Sequence, residues 1–356
     1  MPFANLSTNP VTSAALGHDF TKMLSRTKNL WYELKGCRIF ITGGTGFIGS
    51  WLLHSLLEAN KVFSLGASAV LLSRNPKAFM QRYPELRRNQ LVSFHQGDIS
   101  DFPFPKGHFS HVIHAASDLS QGLQQADPVG LVWKTFGGCR RVMQFAALRG
   151  VKNILYISSG AVYGPMVTGR GSLPEDAPVS CLPHNPSGAY AEAKRVGELT
   201  CALEGKEHGI SVKIARGFTF AGPFLPLNSH FAITSFIQSA LAGRDILIRS
   251  RGKTLRSYLY GSDMAHWLWS ILIKGKHARP YNVGSDEPVT IQELAETIVA
   301  AYQSKSKIQT LKKSGKAEEM EVYVPDIRRA QKELNLNVFI GFEQAIRRTC
   351  EYYKNL

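Results

Sequence analysis

The sequence predicts an α/β protein built on a doubly wound parallel sheet, and three observations carry that expectation. An apolar run, Cys37-Arg38-Ile39-Phe40-Ile41-Thr42, leads into the glycine run Gly43-Gly44-Thr45-Gly46-Phe47-Ile48-Gly49 and a helical segment over residues 47–59. Apolar runs then alternate with helical stretches from residue 37 to about residue 216, the pattern of βαβ units. A hydroxyl-bearing segment, Ser158-Ser159-Gly160-Ala161-Val162-Tyr163-Gly164, closes one of those runs, where open parallel sheets hold their ligands.

Taken in order, residues 1–35 form an extension before the first strand, with an amphipathic helix expected over residues 19–34. Its apolar side chains are Phe20, Met23, Leu24, Leu30, Trp31 and Leu34, and it is expected to pack on the domain surface. The glycine run sits between strand and helix, the context a dinucleotide turn requires. Glycine permits the tight turn and the approach of phosphate oxygens, and the first helical amides meet the pyrophosphate charge. Further strands are expected at residues 69–73, 91–96, 111–114, 153–158 and 212–216. Residues 164–186, rich in proline and glycine, read as a loop. A helix over residues 187–208 places Tyr190 and Lys194, four apart in Tyr190-Ala191-Glu192-Ala193-Lys194, on one face. Beyond Gly222 the units shorten: a helix at 229–242, a strand at 246–250, and helices at 262–274, 291–303 and 342–353.

Composition bounds the function. With 356 residues, 44% hydrophobic and 19% charged, the chain can bury a large core and form two lobes. No apolar run reaches the roughly 20 residues of a membrane span, and residues 1–17 lack the basic start and apolar core of a secretory signal. A cytoplasmic protein is expected. Five scattered cysteines (Cys37, Cys139, Cys181, Cys201, Cys350) form neither a metal pattern nor a disulfide framework. The formal net charge of +15 includes a cluster of Lys305, Lys307, Lys312, Lys313 and Lys316, which lacks interleaved aromatics and reads as a solvated loop rather than a nucleic-acid site. The basic field of the whole chain would help collect an anionic ligand.

With these motifs in place, the chain resembles the extended short-chain dehydrogenase/reductase family, in particular the members acting on nucleotide-activated sugars. The resemblance spans nearly everything after residue 36. It rests on the glycine run, Gly97-Asp98-Ile99, His114-Ala115-Ala116-Ser117, the Ser159 segment, Tyr190 with Lys194, Arg216 through Gly222-Pro223, Arg256 and Tyr281-Asn282-Val283-Gly284, all in the family's order. It implies a Rossmann sheet over residues 36–217, completed by about 258–284, with a smaller, interleaved α/β substrate lobe mainly in residues 218–356. A homodimer joined by a four-helix arrangement is implied as well.

The resemblance assigns roles residue by residue. Tyr190 is the expected general acid/base, its anion stabilised by Lys194 and an oxidised nicotinamide, both positive. Lys194 also holds the nicotinamide ribose, and Ser159 aligns the sugar oxygen. Gly43, Thr45, Gly46, Phe47, Ile48 and Gly49 cradle the pyrophosphate. Asp98 and Ile99 meet the adenine, while His114, Ala115, Ala116 and Ser117 line the cofactor, His114 through its backbone rather than as a catalyst or metal ligand. Substrate contacts fall to Ser117, Ser159, Gly160, Ala161, Thr219 and Arg256, the last a bidentate partner for a diphosphate. The end of the second strand, Ser73-Arg74, lacks the acid that holds the ribose hydroxyls of NAD, so NADP(H) is favoured over NAD(H).

Departures narrow the reaction. Family dehydratases carry an Asp-Glu pair immediately after the active-site hydroxyl, and related decarboxylases keep the glutamate; here Gly160 and Ala161 stand there. Thr135 and Thr219 replace usual asparagines, leaving a structural water relay and the substrate contacts in doubt. A 4-ketoreductase on a nucleotide sugar is the first expectation and a 4-epimerase with bound NAD the second. A non-catalytic nucleotide-binding scaffold or RNA-binding module is a third, whose signature would be loss of Tyr190, Lys194 or Arg256. All three are present.

Overall fold

The computed structural model describes residues 10–117, 127–164, 172–178, 186–229, 231–249, 254–310 and 321–356. Helices α1 (Pro10–Arg26) and α2 (Lys28–Tyr32) come first. The large unit follows as β1 (Arg38–Thr42), α3 (Phe47–Phe63), β2 (Ser68–Ser73), α4 (Pro76–Arg82), β3 (Val92–Gln96), β4 (His111–His114), α5 (Pro128–Leu148), β5 (Asn153–Ser159), α6 (Ala189–Glu207) and β6 (Ser211–Gly217). The remainder is β7 (Phe220–Ala221), α7 (Ala232–Leu241), β8 (Ile246–Ile248), β9 (Leu255–Arg256), β10 (Leu259–Tyr260), α8 (Gly261–Lys274), β11 (Pro280–Val283), β12 (Val289–Thr290), α9 (Ile291–Tyr302), β13 (Ile308–Thr310), β14 (Val322–Tyr323), α10 (Arg328–Leu334) and α11 (Phe342–Lys354).

The main sheet has seven strands in the order β11-β6-β5-β4-β1-β2-β3, and every pairing is parallel. Its central strands are buried on both faces: every residue of β4 is buried, as are Ile39 to Thr42 of β1 and Ile154 to Ser158 of β5. That explains why β1 and β5 read as apolar runs. The chain order reverses between β1 and β4, so the loops leaving these two strands open a crevice at their carboxyl ends. The edge strand β11, opposite β6, comes from late in the chain, and α8 packs on β5 and β6. The fold is therefore the doubly wound α/β class that the strand–helix alternation predicts.

Most expected strands of this sheet differ from the observed ones by a single residue at an end. The N-terminal segment differs more. One helix is expected over residues 19–34, whereas α1 and α2 break at Thr27, whose φ of −123° and ψ of 17° leave the helical region. Thr27 Oγ1 donates to Met23 O at 2.8 Å and accepts from Trp31 Nε1 at 2.8 Å, a local bond set that competes with helix continuation. All six apolar side chains named for this segment are buried, Trp31 and Leu34 completely. Three small sheets, β10-β7, β12-β9-β14 and β13-β8, went unforeseen apart from β8, because strands of two or three residues show too little alternation to detect. Lys312, Lys313, Lys316 and Cys181 lie outside the described residues, as does most of the 164–186 loop. The other four cysteines are free thiols.

Trp51 joins the parts. It is fully buried on α3, packs edge-on against Phe20, Phe224 and Tyr260, and donates from Nε1 to Pro223 O at 3.0 Å. A Cβ at Gly261 would lie 2.1 Å from its ring, so α8 starts on a glycine where the indole must pass. Trp51→Ala should cost about 3–5 kcal/mol of unfolding free energy in a denaturant titration. A loss below about 1 kcal/mol would show that the indole is not the joint.

Candidate active site

The glycine run forms a turn whose geometry only glycine tolerates. Gly43 has φ +69°, and a Cβ there would lie 2.7 Å from the backbone of Ala115 and Ala116, so the turn rests directly on the chain leaving β4. Thr42 Oγ1 accepts from Ala116 N at 3.2 Å and lies 2.8 Å from His114 Nδ1, fixing the same junction. His114 is thus held within the sheet. Gly46 begins α3 with no side-chain cap, so the helix opens on uncapped amides beside the residues that line the cavity. That is a fit for an anion such as a pyrophosphate. Gly49 serves packing instead. A Cβ there would strike Gly43 O and Gly44 Cα at 2.4 Å, so this glycine lets the helix pack on the turn and does not line the cavity.

The cavity at the carboxyl ends of the strands has a volume of about 1190 Å³. That exceeds the roughly 300–1,000 Å³ of a single ligand site and leaves room for a second ligand beside a dinucleotide. Of the expected site residues, all but Gly49 and Gly160 line it.

Ser159, Tyr190 and Lys194 meet in this cavity. Lys194 is 4% exposed, and its Nζ donates to Ile157 O at 2.9 Å, which ties α6 to the end of β5. The ammonium stands 6.0 Å from the Tyr190 ring centre and 5.3 Å from that of Tyr156. Ser159 Oγ accepts from Ala161 N at 3.1 Å, capping the 3-10 turn Gly160–Tyr163.

A buried polar network holds that turn in place. Arg216, from β6, pairs with Glu198 of α6 at 2.8 Å and donates to Tyr163 Oη at 3.0 Å. Ser158 Oγ donates to the same carboxylate at 2.5 Å, and Tyr163 Oη donates to Asn282 Oδ1 at 2.7 Å. Burial pushes the Tyr163 phenol up to about 12, so it stays a donor. Glu198→Ala would leave the Arg216 guanidinium buried without its counter-ion, and a loss of about 3 kcal/mol or more in chemical denaturation is expected. Stability within about 1 kcal/mol of the parent would mean that the network does not support the turn.

At the far end, Asp98 Oδ1 accepts from Ser100 N at 3.1 Å and Ser100 Oγ at 2.7 Å. Burial alone would raise this carboxyl, but the Ser100 bonds and the Lys134 and Arg74 charges outweigh it, and the group is held below its usual range. Ser73 Oγ accepts from Asn75 N at 3.3 Å, and Arg74 follows at the cavity wall. Lys134, absent from the sequence expectation, adds a second positive charge to this wall.

The opposite wall of the cavity brings in groups the sequence did not reveal. Arg256 donates to Glu321 at 2.9 Å, and its guanidinium lies 5.4 Å from the Tyr323 ring centre. Tyr323 stands opposite Arg256 in the β14–β9 register and packs on Phe218 at 4.8 Å. Thr135 Oγ1 donates back to Leu131 O at 2.8 Å, and Thr219 O accepts from Leu259 N at 3.0 Å. Glu321 and Tyr323 directly follow the lysine-rich segment and reach the site through a pairing with residues some 65 positions earlier, so no local signal marks them.

The sequence model of the NAD dependent epimerase/dehydratase family matches residues 39–284, and the chain belongs to that family. Among its relatives, UDP-glucuronic acid decarboxylase 1 of Danio rerio is 28% identical over 319 residues, covering 89% of this chain and 72% of the relative. In fold, it is similar to the UDP-glucose 4-epimerase of Thermotoga maritima solved with UDP-glucose, with TM-score 0.73, 20% identity and coverage of 89% of this chain and 98% of that one. It is similar also to the dTDP-glucose 4,6-dehydratase of Streptomyces venezuelae solved with NAD, with TM-score 0.75, 22% identity and coverage of 89% and 97%. No helix among the described residues is long and apolar enough to cross a membrane.

Proposed function

We propose that the protein is an NAD(P)-dependent oxidoreductase that reduces the 4-keto group of a nucleotide-linked, 6-deoxy sugar. The observation that carries this reading is the meeting of Ser159, Tyr190 and Lys194 beside the glycine turn, with Gly160 and Ala161 where an eliminating or decarboxylating relative would need acids. When bound, a reduced nicotinamide supplies the hydride. The chain's own residues do the rest. Ser159 donates to the ketone oxygen and aligns it, and Tyr190 gives that oxygen its proton, so the carbonyl becomes an alcohol and the phenol an anion. Lys194 stabilises the anion until solvent returns the proton. Arg256, released from Glu321, pairs with the substrate diphosphate in bidentate fashion. Likeness to a UDP-glucose 4-epimerase supports a second reading, 4-epimerisation, which uses the same three residues without net consumption of cofactor.

Tyr190→Phe tests the chemistry: turnover of a nucleotide-linked 4-keto-6-deoxy hexose, followed by NADPH absorbance, should fall at least about a hundredfold, with dinucleotide binding retained. Near-normal turnover would remove Tyr190 from the mechanism.

The cofactor reading is NADP(H) over NAD(H), supported by Ser73, Arg74 and the nearby Lys134, although the related dehydratase is solved with NAD. Fluorescence titration of the parent and of Arg74→Ala should show tighter NADPH than NADH binding, with the preference reduced in the variant. Equal or tighter NADH binding by the parent would shift the assignment to NAD and to epimerisation.

A homodimer is the expected assembly. Val129, Trp133 and Leu148 of α5 and Leu199 and Leu203 of α6 are each 59–68% exposed, a large apolar display on two neighbouring helices. Covering it with the same helices of a second copy gives the four-helix arrangement. Trp133→Glu should move the protein from dimer to monomer mass in light scattering; an unchanged dimer would place the interface elsewhere.

A further inference from the structure

The group that a side chain at Gly160 would meet first belongs to Tyr323. A Cβ built on Gly160 would lie 2.7 Å from Tyr323 Oη and 2.9 Å from the Phe218 ring, so the space a side chain at 160 would need is already filled. The phenol reaches over this glycine, the residue that follows Ser159, and borders the Tyr190 phenol. Its ring packs on Phe218 and has the Arg256 guanidinium 5.4 Å from its centre.

A serine hydroxyl has one proton to donate and two lone pairs to accept with. Ala161 N–H already fills one lone pair of Ser159 Oγ at 3.1 Å. If Tyr323 O–H fills the other, the serine has no acceptor capacity left, and its single proton must point elsewhere. We propose that Tyr323 is a positioning residue for Ser159: it donates to Ser159 Oγ, commits that hydroxyl to donating into the cavity, and closes the position above Gly160 to a carboxylate. Burial raises the Tyr323 phenol, which keeps the proton it must donate. A ketone oxygen accepts and cannot donate, so a serine committed to donation suits a carbonyl substrate. The inference rests on the proposed role of Ser159 and assigns how that role is enforced.

The test uses the full chain in a double-mutant cycle. For a nucleotide-linked 4-keto-6-deoxy hexose with NADPH, Tyr323→Phe should lower kcat about tenfold, the rate equivalent of one well-placed hydrogen bond. KM and NADPH binding should stay near the parent values. In a Ser159→Ala background the same substitution should cost nothing further, because its effect passes through Ser159. Parent-like kcat in Tyr323→Phe, or an equal loss in both backgrounds, would overturn the proposal. Full turnover in Ser159→Ala would overturn the reading of the site itself, and this inference with it. A stability cycle tests the packing without any substrate: Gly160→Ala should lower the melting temperature of the parent, and by less in Tyr323→Phe, where the phenol oxygen is gone. Equal lowering in both would show that Tyr323 does not close that position.

Discussion

A buried ammonium must be met by acceptors, and this requirement at Lys194 organises the site. Removing the charge from water is costly unless hydrogen bonds and neighbouring dipoles replace the lost hydration. Ile157 O, near the end of β5, accepts from Nζ, and the Tyr156 and Tyr190 rings offer their faces. Satisfying one lysine therefore holds α6 against the carboxyl end of β5. Tyr190 lies one helical turn before Lys194, and Ser159 lies two residues after Ile157, so the bond that seats the lysine brings phenol and serine together. The junction of Gly43 with Ala115 and Ala116 sets the glycine turn at the same end of the sheet. Ammonium, hydroxyls and turn thus share one crevice because they lie at the carboxyl ends of neighbouring strands.

The chemistry follows from what that crevice contains. It holds proton donors, a fixed positive charge and an uncapped helix start, and the two residues that follow Ser159 are Gly160 and Ala161 rather than acids. Here the volume above Gly160 is taken by the Tyr323 phenol and the Phe218 ring. Position 160 is therefore packed, whereas Ala161 lines the cavity. Replacing Gly160 alone would meet a clash before it met a substrate. The Arg256–Glu321 pair gives the cavity wall an arginine already ordered, with a half-exposed carboxylate as its partner.

Much of this was legible in the sequence, and the reason differs from element to element. The central strands are buried on both faces, so β1 and β5 appear as apolar runs next to their functional residues. Tyr190 and Lys194 are four apart in a helix, and helical geometry alone puts them side by side. Gly43 through Gly49 showed the turn but not the division of labour, since the packing role of Gly49 depends on its distance to Gly43 O. Tyr323 was not legible. It sits on a two-residue strand whose partner, β9, lies far back in the chain, and its hydroxyl reaches across to a glycine in a third segment. The break at Thr27 was equally hidden, because the apolar periodicity continues through it while the hydrogen bonds do not.

The central claim is that this cavity moves hydride and proton without an acid for elimination. Incubating the protein and NADPH separately with a nucleotide-linked hexose and with its 4-keto-6-deoxy derivative, and weighing the products by mass spectrometry, tests it most directly. The account predicts that the derivative gains two hydrogens as NADPH is consumed, while the parent hexose loses no water. A product of the parent hexose lighter by one water would show that another residue supplies the acid, and would contradict the account.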